Sequence, residues 1–122
     1  MKVIIAGSRN FNDYDYLKAI IDKYKSEIDV IISGTAGGAD SLGERYAIEN
    51  NIKLDKYPAD WNRFGKSAGY KRNELMAEKG DMLIAFWDGK SRGTMHMINI
   101  MRGLKKDLRV IKYEEERNGE TF

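Results

Sequence analysis

Residues 81–104 read DMLIAFWDGKSRGTMHMINIMRGL. Residues 81–87 are strongly apolar and do not alternate with polar ones, which is the pattern of a strand covered on both faces. Met97, Ile98, Met101 and Leu104 then recur at helical spacing. Between the two lies DGKSRGT (88–94), polar and glycine-bearing. A buried strand that passes through such a loop into an amphipathic helix is half of a strand–helix–strand unit. The rest of the chain repeats the unit.

KVIIA (2–6) is a second buried strand, stopped by Gly7. Leu17, Ile20, Ile21, Tyr24 and Ile28 follow at helical spacing, with Asn12 or Asp13 available as cap. DVIIS (29–33) is again a buried strand. Ala39, Leu42, Gly43, Tyr46 and Ala47 mark the next helix, and Ser41 and Glu44 have the spacing of a capping box. KLDKYPA (53–59) is a weaker strand, which Pro58 places at a sheet edge. A loop over 60–70 carries Trp61 and Phe64, a helix over 67–79 ends at Gly80, and LRVIKY (108–113) is the last strand. This alternation predicts a Rossmann-like, doubly wound α/β domain: a five-stranded, mostly parallel sheet of order 3-2-1-4-5 with helices on both faces. The domain is expected over 1–113, with EEERNGETF (114–122) as a charged tail.

Composition narrows the function. With 122 residues and a single proline, one domain is the natural division, and 42% hydrophobic against 33% charged residues fits a globular chain. No apolar run approaches a membrane span and MKVIIAGSRN is too short and polar-ended for a signal peptide, so a cytoplasmic protein with no membrane partner is expected. The absence of cysteine excludes disulfides and thiolate-bound metal. The lone histidine, His96, has no carboxylate partners at metal-ligand spacing, so no metal and no cofactor are expected, and His96 reads as a surface residue. A net charge of +2 lacks the basic surplus of most DNA-binding domains, which makes nucleic acid the least favoured partner.

The predicted strand order also places a site. Such a sheet reverses its winding between strands 1 and 4, and ligands of these folds bind at the carboxyl ends there. The loops meeting at that point are GSRNF (7–11), SGTAGGAD (33–40) and WDGKSRGT (87–94). Gly-Lys-Ser occurs at 65–67 and 89–91, but the leading glycine of a nucleoside-triphosphate loop would fall on Asp60 or Ile84, and both matches fail. SGTAGGAD likewise departs from G-x-G-x-x-G at Ala36. What remains is a looser device: glycines that let backbone approach a ligand, and helix starts that offer N–H groups to an anion. Gly37 and Gly38 open the second helix, Gly93 and Thr94 the last. Ser8 and Arg9 suit phosphate or carboxylate. Trp87 suits a base or the core, and Asp88 a ribose hydroxyl or a turn. Periodicity alone does not place Arg72 and Asn73, for which the plainest reading is a solvated helix face.

AGSRNF, SGTAGGADSLGERYA, AGYKRNELM and DMLIAFWDGKSRGTMHMI, in that order, resemble a bacterial and phage family of the SLOG superfamily. That superfamily also holds the LOG nucleotide phosphoribohydrolases and the DNA-processing protein DprA. The resemblance covers about residues 2–112. It implies a Rossmann-like domain, commonly a homo-oligomer, that binds (senses or sequesters) a nucleotide or an NAD- or ADP-ribose-derived small molecule. Carried over by position, Gly7, Ser8, Arg9 and Phe11 stand in the first loop of the pocket and Ser33, Gly34, Gly37, Gly38 and Asp40 in the second. Arg72 and Asn73 match the arginine-bearing helix, Trp87 and Asp88 the end of the fourth strand, and Ser91, Arg92, Gly93 and Thr94 the phosphate-binding turn. The phosphoribohydrolases carry G-T-x-x-E; aligned on Gly93-Thr94, that glutamate is Met97 here, which neither relays a proton nor stabilises an oxocarbenium ion. A binding protein is therefore the leading expectation. A nucleotide N-glycosidase or other nucleotide hydrolase, with Asp40 or Asp88 substituting, is the alternative, and single-stranded DNA binding comes after it.

Overall fold

Val3, Ile4, Ile5 and Ala6 are all buried, and their side chains divide between the two faces of a sheet, as the period of a strand requires. The computed structural model describes residues 1–113; the tail expected over 114–122 lies outside the described residues. Strand β1 (Lys2–Gly7) pairs in parallel with β2 (Val30–Ser33) on one side and with β4 (Met82–Trp87) on the other. Strands β3 (Lys53–Lys56) and β5 (Asp107–Lys112) form the edges, and the order is β3-β2-β1-β4-β5, as the sequence predicts.

Helices α1 (Tyr14–Asp22) and α2 (Ala39–Glu49) cover one face. There Leu17, Ile21, Tyr46 and Ala47 pack on Val3, Ile5, Ile31, Ile84 and Phe86. On the other face, α4 (Ala68–Lys79) and α5 (Arg92–Gly103) bring Met76, Ala77, Met97, Ile98 and Met101 onto Ile4, Ala6, Ile32, Leu83 and Ala85. No helix among the described residues is long and apolar enough to cross a membrane.

Local departures have local causes. The first helix stops at Asp22, and Lys25–Glu27 form a 3-10 turn, because the chain must reverse into β2 within a few residues. Asp13 is its cap, accepting from the Tyr16 amide. The Ser41–Glu44 capping box does not form. Helix α2 begins earlier, at Ala39, whose amide donates to the Ser8 carbonyl (3.3 Å), while Glu44 accepts from the Ser33 hydroxyl instead (2.6 Å). Part of the 60–70 loop is helical: α3 (Trp61–Phe64), capped by Asp60, leads into a 3-10 turn over Gly65–Ser67. Leu104, expected in the core, is the exposed cap of α5.

Lys106 closes the end of α4. Its ammonium donates to the carbonyls of Ala77 (2.6 Å), Glu78 (3.2 Å) and Gly80 (2.8 Å), groups that a helix end leaves without internal partners. Lys106→Met is expected to cost about 1–2 kcal/mol and to lower Tm by roughly 4–10 °C, measured by calorimetry.

Candidate functional site

At the carboxyl end of the sheet β1 and β4 lie side by side, yet the helices that follow them, α1 and α5, pack on opposite faces. The crevice this leaves is held by Ser8, which is buried. Its amide donates to the Phe86 carbonyl (3.0 Å) and its hydroxyl accepts from the Asp88 amide (3.1 Å). Its carbonyl accepts from the amides of Phe11 (3.2 Å) and Ala39 (3.3 Å). One residue thus ties together β1, β4 and the start of α2. Two glycines make the approach possible. A side chain on Gly7 would meet the Phe86 carbonyl oxygen at 2.2 Å. Gly38 has φ +64°, and its side chain would meet the Ser8 carbonyl oxygen at 2.2 Å.

The crevice has two parts. An inner recess of about 90 Å³ has an apolar floor of Ala6, Met76 and Met97. Its walls are Gly7, Arg9, Ala36, Asp40, Arg72, Asn73, Ser91, Gly93 and Thr94. A more open groove of about 470 Å³, lined by Ser8, Arg9, Asn10, Asp88, Ser91 and Gly93, continues from it. The recess is small against a pocket for a whole small molecule, whereas the groove is within that range. A single functional group fits the first and the body of a ligand fits the second.

Two cations border the recess. Arg9 is exposed and forms no ion pair among the described residues. Arg72 is half-buried: Nη1 donates to the Gly34 carbonyl and Nε donates to Asn73 Oδ1 (3.0 Å). Burial works against its charge, and the nearby Asp40 supports it. Asn73 is buried; its Nδ2 donates to the Gly93 carbonyl (3.2 Å) and stands 3.2 Å from His96 Nδ1. It therefore joins the arginine to the first turn of α5. Ser91 caps that helix, accepting from the Thr94 amide, and its hydroxyl lies 3.1 Å from that of Thr94. A side chain on Gly93 would meet nothing within 4 Å, so the helix start is open toward the recess.

Asp40 is the buried acid of the site, at 5% exposure. Burial pushes its carboxyl up from an ordinary 3.8 to about 7, against the pull of its bond from the Ala36 amide (3.0 Å) and of the Arg72 and Arg9 charges. The recess thus holds two fixed positive charges, a helix N-terminus and a carboxyl that sheds much of its charge near neutrality. That arrangement suits an anion.

Of the residues singled out in the sequence, Gly7, Arg9, Asp40, Arg72, Asn73, Ser91, Gly93 and Thr94 meet in the recess, and Ser8 and Asp88 in the groove. The others lie outside both cavities, and Asp88 has a turn role besides its place in the groove. Phe11 is core, its ring 5.0 Å from that of Phe86 and 4.8 Å from that of Tyr113. Ser33 is fully buried and holds the 33–38 turn by accepting from the Thr35 amide (3.0 Å). Gly34 backs Arg72, Gly38 packs on Ser8, and Gly37 is exposed beside the recess loop. The Trp87 indole N–H donates to the Ser91 carbonyl (3.0 Å), so its ring supports the helix start from the core side. Asp88 Oδ1 accepts from the amides of Lys90 (2.8 Å) and Ser91 (2.9 Å), a turn role. Arg92 is exposed and borders neither cavity, because one step along α5 turns it away from Ser91 and Gly93. Arg72 and Asn73 do not form a solvated face: the Gly34 carbonyl and the α5 start hold them at the recess, where the family resemblance put them. His96 is half-buried rather than a surface residue, in contact with Asn73 and Tyr70, and burial holds its imidazole below the usual histidine range. Sequence reading gave no site role to Ala36 and Met76, which carry no chemical signal of their own, or to Asn10, which lines the groove.

A model of the YspA, cpYpsA-related SLOG family matches residues 1–64, more than half of the chain. The chain belongs to this SLOG family. The Gene 61 protein of Mycobacterium phage D29 is 36% identical over 104 residues, covering 78% of this chain and 83% of that protein. Two solved structures share the fold. DNA processing protein A (DprA) of Streptococcus pneumoniae superposes with a TM-score of 0.76 at 18% identity over 89% of this chain. DNA processing protein A of Helicobacter pylori gives 0.67 at 22% identity over 90% of it. This SLOG chain spans about half of the first (49%) and 64% of the second.

One expectation is overturned here. Near-neutral charge set nucleic acid as the least favoured partner, yet the Helicobacter pylori protein, built on this fold, is described as binding single-stranded DNA. Net charge is the wrong measure, because a strand is held by local charge along its path. In this SLOG chain Arg9 and Arg72 are gathered at one cleft, and the acid beside them, Asp40, is buried and sheds much of its charge near neutrality.

Proposed function

We propose that the cleft binds the phosphate group of a nucleotide or a nucleotide-derived small molecule, such as an NAD or ADP-ribose relative, and that this chain senses or sequesters it. The observation that carries the reading is the pairing of Arg72 with the open start of α5 through Asn73: a planar cation and a row of amides face one group-sized recess. Arg9 closes the third side. Met97, in the place of the phosphoribohydrolase glutamate, is part of the apolar floor, which favours binding over cleavage.

The test is calorimetric titration with AMP, ADP-ribose, NAD and ribose 5-phosphate, with Arg9→Ala and Arg72→Ala alongside. Each variant is expected to lose roughly 10- to 100-fold in affinity for the ligand that binds. Arg9 holds nothing in the fold, so its loss reads the site alone. No heat with any of the four at millimolar concentration sinks the reading. Chromatography of the spent AMP mixture checks for release of free base, and such release, lost in Asp40→Asn, would put the hydrolase in its place.

A second reading has its own support. The likeness to DprA favours a single strand of DNA, its phosphates at the same arginines. Binding of an oligonucleotide with steep salt dependence, and no binding of the free nucleotides, would select it.

A further inference from the structure

We propose that Trp61 is the platform for a nucleobase whose phosphate occupies the Arg72 recess, so that the ligand carries an aromatic base and not only a sugar phosphate. The inference rests on the phosphate reading of the cleft and extends it to the ligand's other end.

Trp61 opens α3 and is 53% exposed, an unusual position for so large an apolar surface. Its place is fixed. Asp60 caps α3 by accepting from the Arg63 amide (3.1 Å), and the indole lies over Gly69 of α4. A side chain on Gly69 would stand 3.4 Å from Trp61 Cη2 and 3.6 Å from Arg72 Nη2. The ring edge and the guanidinium that borders the recess therefore flank one point. A base on a phosphate at Arg72 reaches Trp61 without crossing the cleft.

Among the described residues, the other candidate rings are already engaged. Trp87 is tied to Ser91 and packed on the core, and Phe11 is buried. Tyr70, farther round α4, lies edge-on to His96 with ring centroids 4.4 Å apart. The groove beyond Arg9 is lined by polar side chains and glycine and offers no ring. The same short helix gathers cations at its other end: Arg63 and Lys71 stand 4.9 and 5.1 Å from the centroid of Phe64. A stacking ring beside a phosphate-binding cation is the unit by which proteins hold bases without reading their sequence.

The same chemistry belongs to a free nucleotide and to one unit of a single strand. The test distinguishes them by titrating AMP, ribose 5-phosphate and a short oligothymidylate into the wild-type chain, Trp61→Leu and Trp61→Phe. Trp61→Leu is expected to lose roughly 10- to 100-fold in AMP affinity, the range of one base–aromatic stack. Ribose 5-phosphate should bind all three within about twofold, and Trp61→Phe should recover most of the loss, as stacking but not bulk predicts. Loss confined to the oligothymidylate, with AMP silent, would assign the platform to a single strand. Equal losses for AMP and ribose 5-phosphate, unchanged AMP binding in Trp61→Leu, or a shift in oligomeric state on gel filtration in place of an affinity change would each overturn the proposal. Wild-type binding of ribose 5-phosphate separates failure of the platform from failure of the phosphate site.

Discussion

Asp40→Asn is expected to stabilise the protein at pH 8 by about 2–4 kcal/mol, and by almost nothing at pH 4. The sign follows from where the carboxyl titrates. Its ordinary value of 3.8 applies to the unfolded chain, while burial lifts it to about 7 in the fold. Between those values the folded state holds the proton and the unfolded state does not, so this group's contribution to stability falls as pH rises. The fall begins near pH 4 and is complete just above pH 7. Asparagine removes the charge and keeps an oxygen to accept from the Ala36 amide, the bond Asp40 makes at 3.0 Å. Denaturant melts at pH 4, 5, 6, 7 and 8 should show a gap between the two proteins that widens steadily with pH. A variant less stable than the wild type at pH 8 would mean that the charge is held by Arg72 and is worth more than its desolvation. For a phosphate ligand the same change should tighten binding above pH 7, since it removes a like charge from the wall of the recess.

Most of the sheet was legible because its three central strands, β1, β2 and β4, are short apolar runs bounded by glycine or polar turns, and three such runs with helices between them leave few topologies. Of the edges, β3 was marked by Pro58, while β5 took its edge position from the predicted order alone. The switch point followed from the order alone. Within the site, legibility ended where a residue's role is set by a distant partner. Arg72 looks like a solvated helical arginine until the Gly34 carbonyl, far off in sequence, is seen to hold it. Ser41 and Glu44 satisfy a local motif, but the Ser8 carbonyl starts the helix elsewhere and Ser33 claims the glutamate. Trp87 and Trp61 are the same residue type at loop edges. One has its indole N–H taken by Ser91, the other lies open over Gly69, and only contacts separate them.

Glycine presents that ambiguity in its sharpest form, and two substitutions resolve it. Gly38→Ala is expected to cost at least ~3–5 kcal/mol and roughly 10–20 °C in Tm, close to loss of the fold. Its φ of +64° disfavours any side chain, and the new methyl would stand 2.2 Å from the Ser8 carbonyl oxygen and 2.6 Å from the Arg9 carbonyl carbon. These are backbone atoms of the loop that joins β1 to the rest of the crevice, so nothing flexible gives way. Gly93→Val is expected to behave in the opposite manner. Its backbone is helical, a side chain there meets nothing within 4 Å, and valine in a helix is no worse than glycine. Stability should change by less than about 1 kcal/mol, while the two methyls add bulk at a position that lines both cavities, and the affinity for the proposed phosphate ligand should fall roughly 100-fold or more. Thermal melts and titrations on the two variants separate the roles. A Gly93→Val protein that melts as the wild type does and still binds its ligand would show that the anion does not approach the start of α5, and the site would then have to be built on Arg9 and Arg72 alone.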